Sequence, residues 1–255
     1  MRNWNRLSLL AVAGLSVGLI GCGGENTGPF SRRVFGEEAY VNGQKVETWE
    51  TTDLQGNVVE VGFSITETLI DNPPAGMGSG PAGAFATLKF PPATRSQTFL
   101  NHFELHWNTM GHEPPVYMKP HWDFHFYGVS PEDVFNALPP DPGNPLDGQI
   151  PPGYAYPGPE ALVPEMGVHA APFSDFAPGY DFEHTFIYGY YGGKTTFIEP
   201  MVTQEFLQRK QGYQLNIPQP QILGRSTRFP TRLIARWMNS ARKWEFVLTD
   251  FVNKN

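Results

Sequence analysis

The sequence of 255 residues contains a single cysteine, and only 17 % of its residues are charged. One cysteine cannot form a disulfide within its own chain, so a disulfide-stapled scaffold is excluded, as are zinc or iron–sulfur sites built from several thiolates. The sequence also lacks a Walker loop, which argues against nucleotide hydrolases of the P-loop type. A net charge of −7 argues against a nucleic-acid partner.

Glycine and proline are abundant, with 27 and 25 residues, and they interrupt the chain too often for a coiled coil or a long helical bundle. Aromatic residues make up 14 %, enough to form a buried core. Short alternating segments separated by turn residues predict a mainly β fold, a barrel- or sandwich-like antiparallel sheet with a few short helices. Ser130 and Thr203 are the predicted N-caps of two such helices, residues 231–251 predict a hairpin, and residues 139–164 predict a long Pro/Gly-rich loop.

The first 21 residues predict a lipoprotein signal peptide. Arg2 and Arg6 precede an apolar stretch, 9–20, that is shorter than the roughly 20 residues needed to span a bilayer. The stretch ends in Leu19-Ile20-Gly21-Cys22, which resembles the lipobox of bacterial lipoproteins, in which the cysteine is acylated and becomes the new N-terminus. An ordinary secretory signal followed by an accidental cysteine is the alternative.

A lipid on Cys22 would anchor the protein to a membrane of the bacterial cell envelope. Residues 22–36, which are Gly-rich and polar, predict a flexible tether, and residues 37–255 predict a single β-rich domain. Gly23 follows the cysteine where an Asp would indicate retention at the inner membrane, so in a bacterium with two membranes we expect the outer one. Acylation of Cys22 would leave the domain with no free thiol.

All seven histidines lie between residues 102 and 184. Residues 102–106 read H-x-E-x-H and residues 121–125 read H-x-D-x-H. On a β-strand alternate residues share a face, so each segment would present two imidazoles and a carboxylate on one side and bulky apolar groups on the other. If the two polar faces meet, the ligands suit zinc, iron, manganese, nickel or copper.

The leading candidates for metal ligands are four histidines, with three further residues as secondary candidates: His121, His125, His169 and His184, then His112, Asp123 and Glu199. Two other interpretations stay open for the same residues. They can form a buried polar network with a structural role, or they can shuttle protons without a metal.

Motifs concentrated in residues 107–127 and 184–203, with one more at residues 166–169, resemble those of an uncharacterised bacterial envelope family. The motifs read WNTMGHEPP, PHWDFHFY, MGVH, TFIYG and EPMVT, and the family includes a secreted, ring-forming Thermus protein under sigma-E control. Trp122 replaces the phenylalanine usual at its position. The resemblance covers roughly residues 55–252 and implies a β-rich envelope protein and possible ring-like homo-oligomers, but no activity. His102 and His106 lie outside the family motif.

Three hypotheses about function follow. The first is a lipid-anchored envelope protein that binds a transition metal. The second is a non-enzymatic structural or stress-response protein that forms a ring-like homo-oligomer. The third is a cupin-like metal-dependent enzyme with an open coordination position for oxygen or water chemistry.

Overall fold

The computed structural model describes residues 31–76 and 83–255. The predicted signal peptide, Cys22 and residues 22–30 of the predicted tether lie outside the described residues. Within the described ranges, no helix has the length and apolar character needed to cross a membrane.

Antiparallel β-structure dominates the described chain, as predicted, and its four α-helices are short. The strands are β1 (Ser31–Val41), β2 (Gln44–Asp53), β3 (Val58–Thr66), β4 (Ala86–Lys89), β5 (His102–Asn108), β6 (His121–Tyr127), β7 (Tyr154–Ala155), β8 (Leu162–Val163), β9 (Gly167–Pro172), β10 (His184–Tyr191), β11 (Lys194–Thr203), β12 (Tyr213–Asn216), β13 (Thr227–Phe229), β14 (Arg232–Met238), β15 (Lys243–Thr249) and β16 (Val252–Lys254). The helices are α1 (Glu67–Asp71), α2 (Pro92–Gln97), α3 (Pro131–Phe135) and α4 (Gln204–Gln208).

Two large antiparallel sheets form the body of the fold. The first has the strand order β1-β2-β3-β15-β14-β12, and the second has the order β4-β5-β6-β11-β10-β9-β7, with β8 added beside β9. Strands β13 and β16 form a separate pair. Neither large sheet closes on itself within the described residues, so of the two predicted architectures the fold has the open, sandwich-like one.

The two sheets pack face to face through aromatic side chains. The ring centroid of Phe63 on β3 lies 4.1 Å from that of Phe103 on β5 and 4.8 Å from that of Phe124 on β6. All three rings are fully buried. Because side chains alternate along a strand, the inward phenylalanines of β5 and β6 force the histidines and carboxylates of the same strands onto the opposite face.

The N-terminal edge of the first sheet corrects the predicted tether. Residues 31–36 are the first half of β1 and pair with β2, starting with Ser31 opposite Asp53. Arg33 is buried, its Nη1 donates to Glu245 Oε1 at 2.7 Å, and its guanidinium lies 3.8 Å from the ring centroid of Trp49. Composition alone suggested a flexible segment here, but long-range pairing and a buried ion pair fix it in the sheet.

Local sequence signals are confirmed elsewhere. Ser130 accepts a hydrogen bond from the backbone N–H of Asp133 and begins α3, with Pro131 as its first residue. Thr203 accepts from the N–H of Phe206 and begins α4. Strands β14 and β15 form the predicted C-terminal hairpin.

Candidate metal centre

The outer face of the second sheet carries a buried row of histidines and carboxylates. Strands β5 and β6 pair with His106 opposite Asp123, Glu104 opposite His125 and Asn108 opposite His121. The three histidines are fully buried, and the carboxylates of Asp123 and Glu104 are at most 4 % exposed. A polar face so well covered needs internal partners, because burying an unpaired charge is costly.

Three segments contribute to the cover of this face: the β5–β6 connection, the region around residues 155–163, and the short helical turn Phe173–Phe176. Tyr117 of the first segment donates its hydroxyl to Asp175 of the third at 2.8 Å. Thr185 of β10 also donates to this carboxylate. Asp175 is 4 % exposed and links the cover to the sheet beneath.

His112, His121 and Asp123 form the first group that can hold a metal ion. Nε2 of His121 lies 3.0 Å from Asp123 Oδ1, and Nε2 of His112 lies 3.6 Å from Asp123 Oδ2. Asn108 Nδ2 donates to Asp123 Oδ2 at 2.6 Å. Two ligands at about 2.1 Å from one ion are separated by roughly 2.9–3.5 Å at tetrahedral or octahedral angles, so these atoms already lie near the spacing that a metal requires.

His125, His169 and Glu199 form the second group. Nε2 of His125 lies 3.5 Å from Glu199 Oε1, and Nε2 of His169 lies 3.7 Å from Glu199 Oε2. Within each group, one ligand atom from every residue lies within 4.8 Å of the others. The predicted His-carboxylate face is therefore divided between two candidate sites rather than one.

Several of these imidazoles are oriented in the same way. Nδ1 of His121 lies 2.7 Å from the carbonyl of Lys119, that of His112 lies 2.7 Å from the carbonyl of Glu113, and that of His169 lies 3.2 Å from the carbonyl of Gly167. A carbonyl only accepts, so each Nδ1 carries a proton, and a ring without a second proton directs the lone pair of Nε2 towards a carboxylate. Lone pairs that face a carboxylate require a cation between them, either a metal ion or a second ring proton. This outer hydrogen bond to Nδ1 is the usual support of a metal-ligating histidine.

Three buried polar atoms in the second group fit the same interpretation. Both ring nitrogens of His125 and Oε2 of Glu199 have no hydrogen-bond partner among the described residues. Buried nitrogen and carboxylate atoms without partners are rare in native proteins. An imidazole–carboxylate set of this kind matches the ligands of zinc and of other first-row transition metals.

The two carboxylates differ in their electrostatics. Burial favours protonation of Asp123, but the charges and hydrogen bonds of His121 and His112 outweigh it and hold its pKa well below its ordinary value. Burial, together with the charge of Asp123, raises the pKa of Glu199 well above its ordinary value. The first group thus holds an ionised carboxylate that attracts a cation, whereas Glu199 must lose a proton before it can bind one.

The histidines differ as well. Burial lowers the pKa of His169 to about 4, helped by the charge of His112, and it lowers that of His125 well below its ordinary value. Burial opposes protonation of His112 too, but Asp123 outweighs it and raises the pKa. The second group therefore presents neutral imidazoles, the form that binds a metal.

His184 does not belong to either group, which corrects its prediction as a leading ligand. It lies on β10 opposite Val202, on the face that packs into the core between the sheets. Its ring stacks on Tyr213 at 4.5 Å and meets Phe206 edge-on at 5.1 Å. The alternation with Phe186 and Tyr188, both in the core, places His184 on the wrong face for metal binding.

Strand β5 carries a third His/carboxylate group, which was not among the predicted ligands. His102 and His106 each direct Nε2 at Glu104, at 3.5 Å and 3.4 Å. Burial opposes ionisation of Glu104, but these hydrogen bonds lower its pKa to about 2. The His106 ring also lies 4.8 Å from the His125 ring. The H-x-E-x-H spacing was the signal for this third group, which adjoins the second.

A cavity of about 640 Å³ lies directly over the first group. Its polar lining comes from Asn108, His112, Glu113, Tyr117, Asp123 and His169. The rest of the wall is largely apolar and comes from the covering segments and the sheet, including Ala155, Pro157, Ala161, Val163, Met166, Ala171, Phe176, Ile187 and Met201. The Pro/Gly-rich segment, 139–164, thus supplies part of the wall.

Comparison with known proteins gives one match. A family model described as TTHB210-like, "Hypothetical protein TTHB210", matches residues 53–107. Neither the curated proteins nor the solved structures yield a match. The chain is therefore similar to that family from the end of β2 to β5, a segment that includes His102, Glu104 and His106. The motifs at 107–127 and 184–203 lie beyond the matched residues except at position 107.

Proposed function

We propose that the protein binds a transition-metal ion at its His/carboxylate face and works as a lipid-anchored protein of the bacterial envelope. One observation carries the metal proposal. In both groups, imidazole Nε2 atoms converge on a carboxylate, and three of those four rings have Nδ1 against a backbone carbonyl. That arrangement presents lone pairs to a common point and fixes the ring tautomers beforehand.

The first group is the better candidate for a functional ion. It combines an ionised carboxylate with two imidazoles, and it adjoins the cavity. Three protein ligands leave a coordination position for water or for another molecule, as in zinc sites that do chemistry rather than support a fold. The open position favours the hypothesis of a metal-dependent enzyme, which adds a reaction to the proposed metal site.

Metal content after purification without chelators tests the proposal. We expect a stoichiometric transition metal, or one that is taken up when zinc or cobalt is added. His121→Ala should weaken affinity by more than the roughly 10- to 100-fold that loss of an outer partner costs, because it removes a ligand. His184→Ala is the matched control and should bind as the wild type does. Less than about a tenth of an equivalent of metal, unchanged after reconstitution, would contradict the proposal.

The envelope part of the proposal rests on the N-terminal sequence alone. A fatty-acid analogue supplied to expressing cells should label the protein, and the label should disappear in Cys22→Ser. Two or more acyl chains anchor stably where one does not, so the wild type should sediment with membranes. An unlabelled wild-type protein in the soluble fraction would contradict the anchor without affecting the metal proposal.

A further inference from the structure

The cavity over the first group has the composition of a binding site for a hydrophobic anion. We propose that it takes a small-molecule monocarboxylate, with the carboxylate on the open coordination position of the ion and the hydrocarbon tail against the apolar wall. This inference rests on the proposed function, because the ion held by His112, His121 and Asp123 is what attracts the head group.

The size and wall of the cavity suit the tail. Small-molecule sites occupy about 300–1,000 Å³ and are lined mainly by apolar side chains, and this cavity holds about 640 Å³. Ile187 and Met201 of the sheet line the cavity and are at most 2 % exposed. Val163 and Phe176 of the cover also line it and remain 38 % and 50 % exposed, so they form its outer part.

The charge at the cavity floor suits the head group. A divalent ion bound with Asp123 as the one carboxylate of its group leaves a net charge of about +1, which is costly in an apolar cavity unless an anion joins it. The other carboxylate in the lining, Glu113, is exposed and therefore screened by water. His112 and Asp123 both face the cavity, so the ion they hold is accessible from it.

The metal is also the main source of positive charge for such a ligand. Of the described residues that line the cavity, none is a lysine or an arginine. An anion would therefore bind only when the ion is present. The side-chain amide of Asn108 already donates to Asp123, so the metal is the partner for the carboxylate head group.

Cobalt-loaded full-length protein provides the test, because the visible spectrum of Co²⁺ responds to its ligands. Octanoate should change the spectrum and bind at least about 100-fold more tightly than acetate, because its longer alkyl chain leaves water. Octanamide, with the same tail and no charge, should bind at least about 10-fold more weakly than octanoate. Calorimetry with the metal-free protein should detect no octanoate binding.

Ala161→Trp should narrow the cavity without touching a ligand. Ala161 is exposed and lines the cavity, so the substitution should weaken octanoate binding at least about 10-fold and leave cobalt affinity unchanged. Ala241→Trp, at an exposed turn of the first sheet, is the matched control and should change neither.

The outcomes separate the two proposals. Cobalt binding with no response to octanoate, or with equal responses to octanoate and acetate, would overturn the carboxylate site and leave the metal site standing. Octanoate binding of equal strength without metal would also overturn the inference. A protein that binds no cobalt would overturn both.

Discussion

Asn108 is the residue that ties the first group to the sheet. Its amide donates to Asp123 Oδ2 at 2.6 Å and lies 3.5 Å from His121 Nε2. Asn108→Ala should lower metal affinity by about 10- to 100-fold, as losses of outer hydrogen bonds do. Competition with a chromophoric chelator measures this. Asn57→Ala, which removes an exposed amide bonded to Asp53, should leave the affinity unchanged, and an equal loss in both variants would refute the role.

The buried ion pair of Arg33 and Glu245 gives a second prediction about single residues. Glu245→Ala should lower the free energy of unfolding by about 3–5 kcal/mol, because it leaves the Arg33 charge buried without its partner. Urea unfolding measures the change. The exposed pair of Arg209 and Glu183 is the control, and Glu183→Ala should cost less than about 1 kcal/mol. Equal effects would mean that Arg33 is not held as described.

Individual residues also show what the sequence could predict. Alternation with Phe186 and Tyr188 was enough to place His184 on the core face, so that misassignment was avoidable. The pairing of His169 with Glu199 was different. It depends on the register of β9 with β10 and of β10 with β11, which no single strand contains.

Among the elements, the hairpin of β10 and β11 has a tight contact at Gly189. A Cβ atom there would lie 1.9 Å from Cε1 of Phe197, the facing residue on β11. The Phe197 ring lies 4.9 Å from the ring of His125 and 5.0 Å from that of His169. The glycine therefore makes room for the aromatic side chain that packs against the second group.

Gly189→Ala should thus lower both stability and metal occupancy of the second group. Displacing Phe197 should cost about 1–3 kcal/mol or more, as overpacking does. Thermal unfolding and metal analysis measure the two effects. Gly143→Ala is the control, since its Cβ would meet nothing closer than 3.6 Å. A stable Gly189→Ala protein with normal metal content would contradict the proposed contact.

Elements fixed by local chemistry were predictable, and those fixed by distant partners were not. Ser130 and Thr203 begin their helices through hydrogen bonds within three residues. The polar residues of β5 and β6 could be placed on one face by their period of two. By contrast, residues 31–36 look like a linker in isolation and become a strand only because β2 lies beside them.

For the whole molecule, the fold class followed from composition, but the cavity did not. Its wall joins the β5–β6 connection, the region of residues 155–163 and the turn at 173–176 over one sheet. These segments are far apart in the chain, so their meeting depends on the complete topology. Composition could mark residues 139–164 only as an unusual loop.

Metal binding should stabilise the whole molecule, because the ligands are assembled only in the folded chain. Zinc at about 100 times its dissociation constant should add about 2.7 kcal/mol to the free energy of unfolding. Thermal unfolding with zinc and with chelator measures the difference. The double variant His121→Ala/His125→Ala, which removes one ligand from each group, should lose most of it. A melting temperature indifferent to zinc would count against any buried site.

Anomalous diffraction from crystals grown with zinc, recorded on both sides of the zinc absorption edge, can locate a bound ion at this face. We expect a peak among His112, His121 and Asp123, at about 2.0–2.2 Å from their ligand atoms. Zinc-grown crystals with no peak at this face, or with peaks only at exposed residues elsewhere, would contradict this expectation.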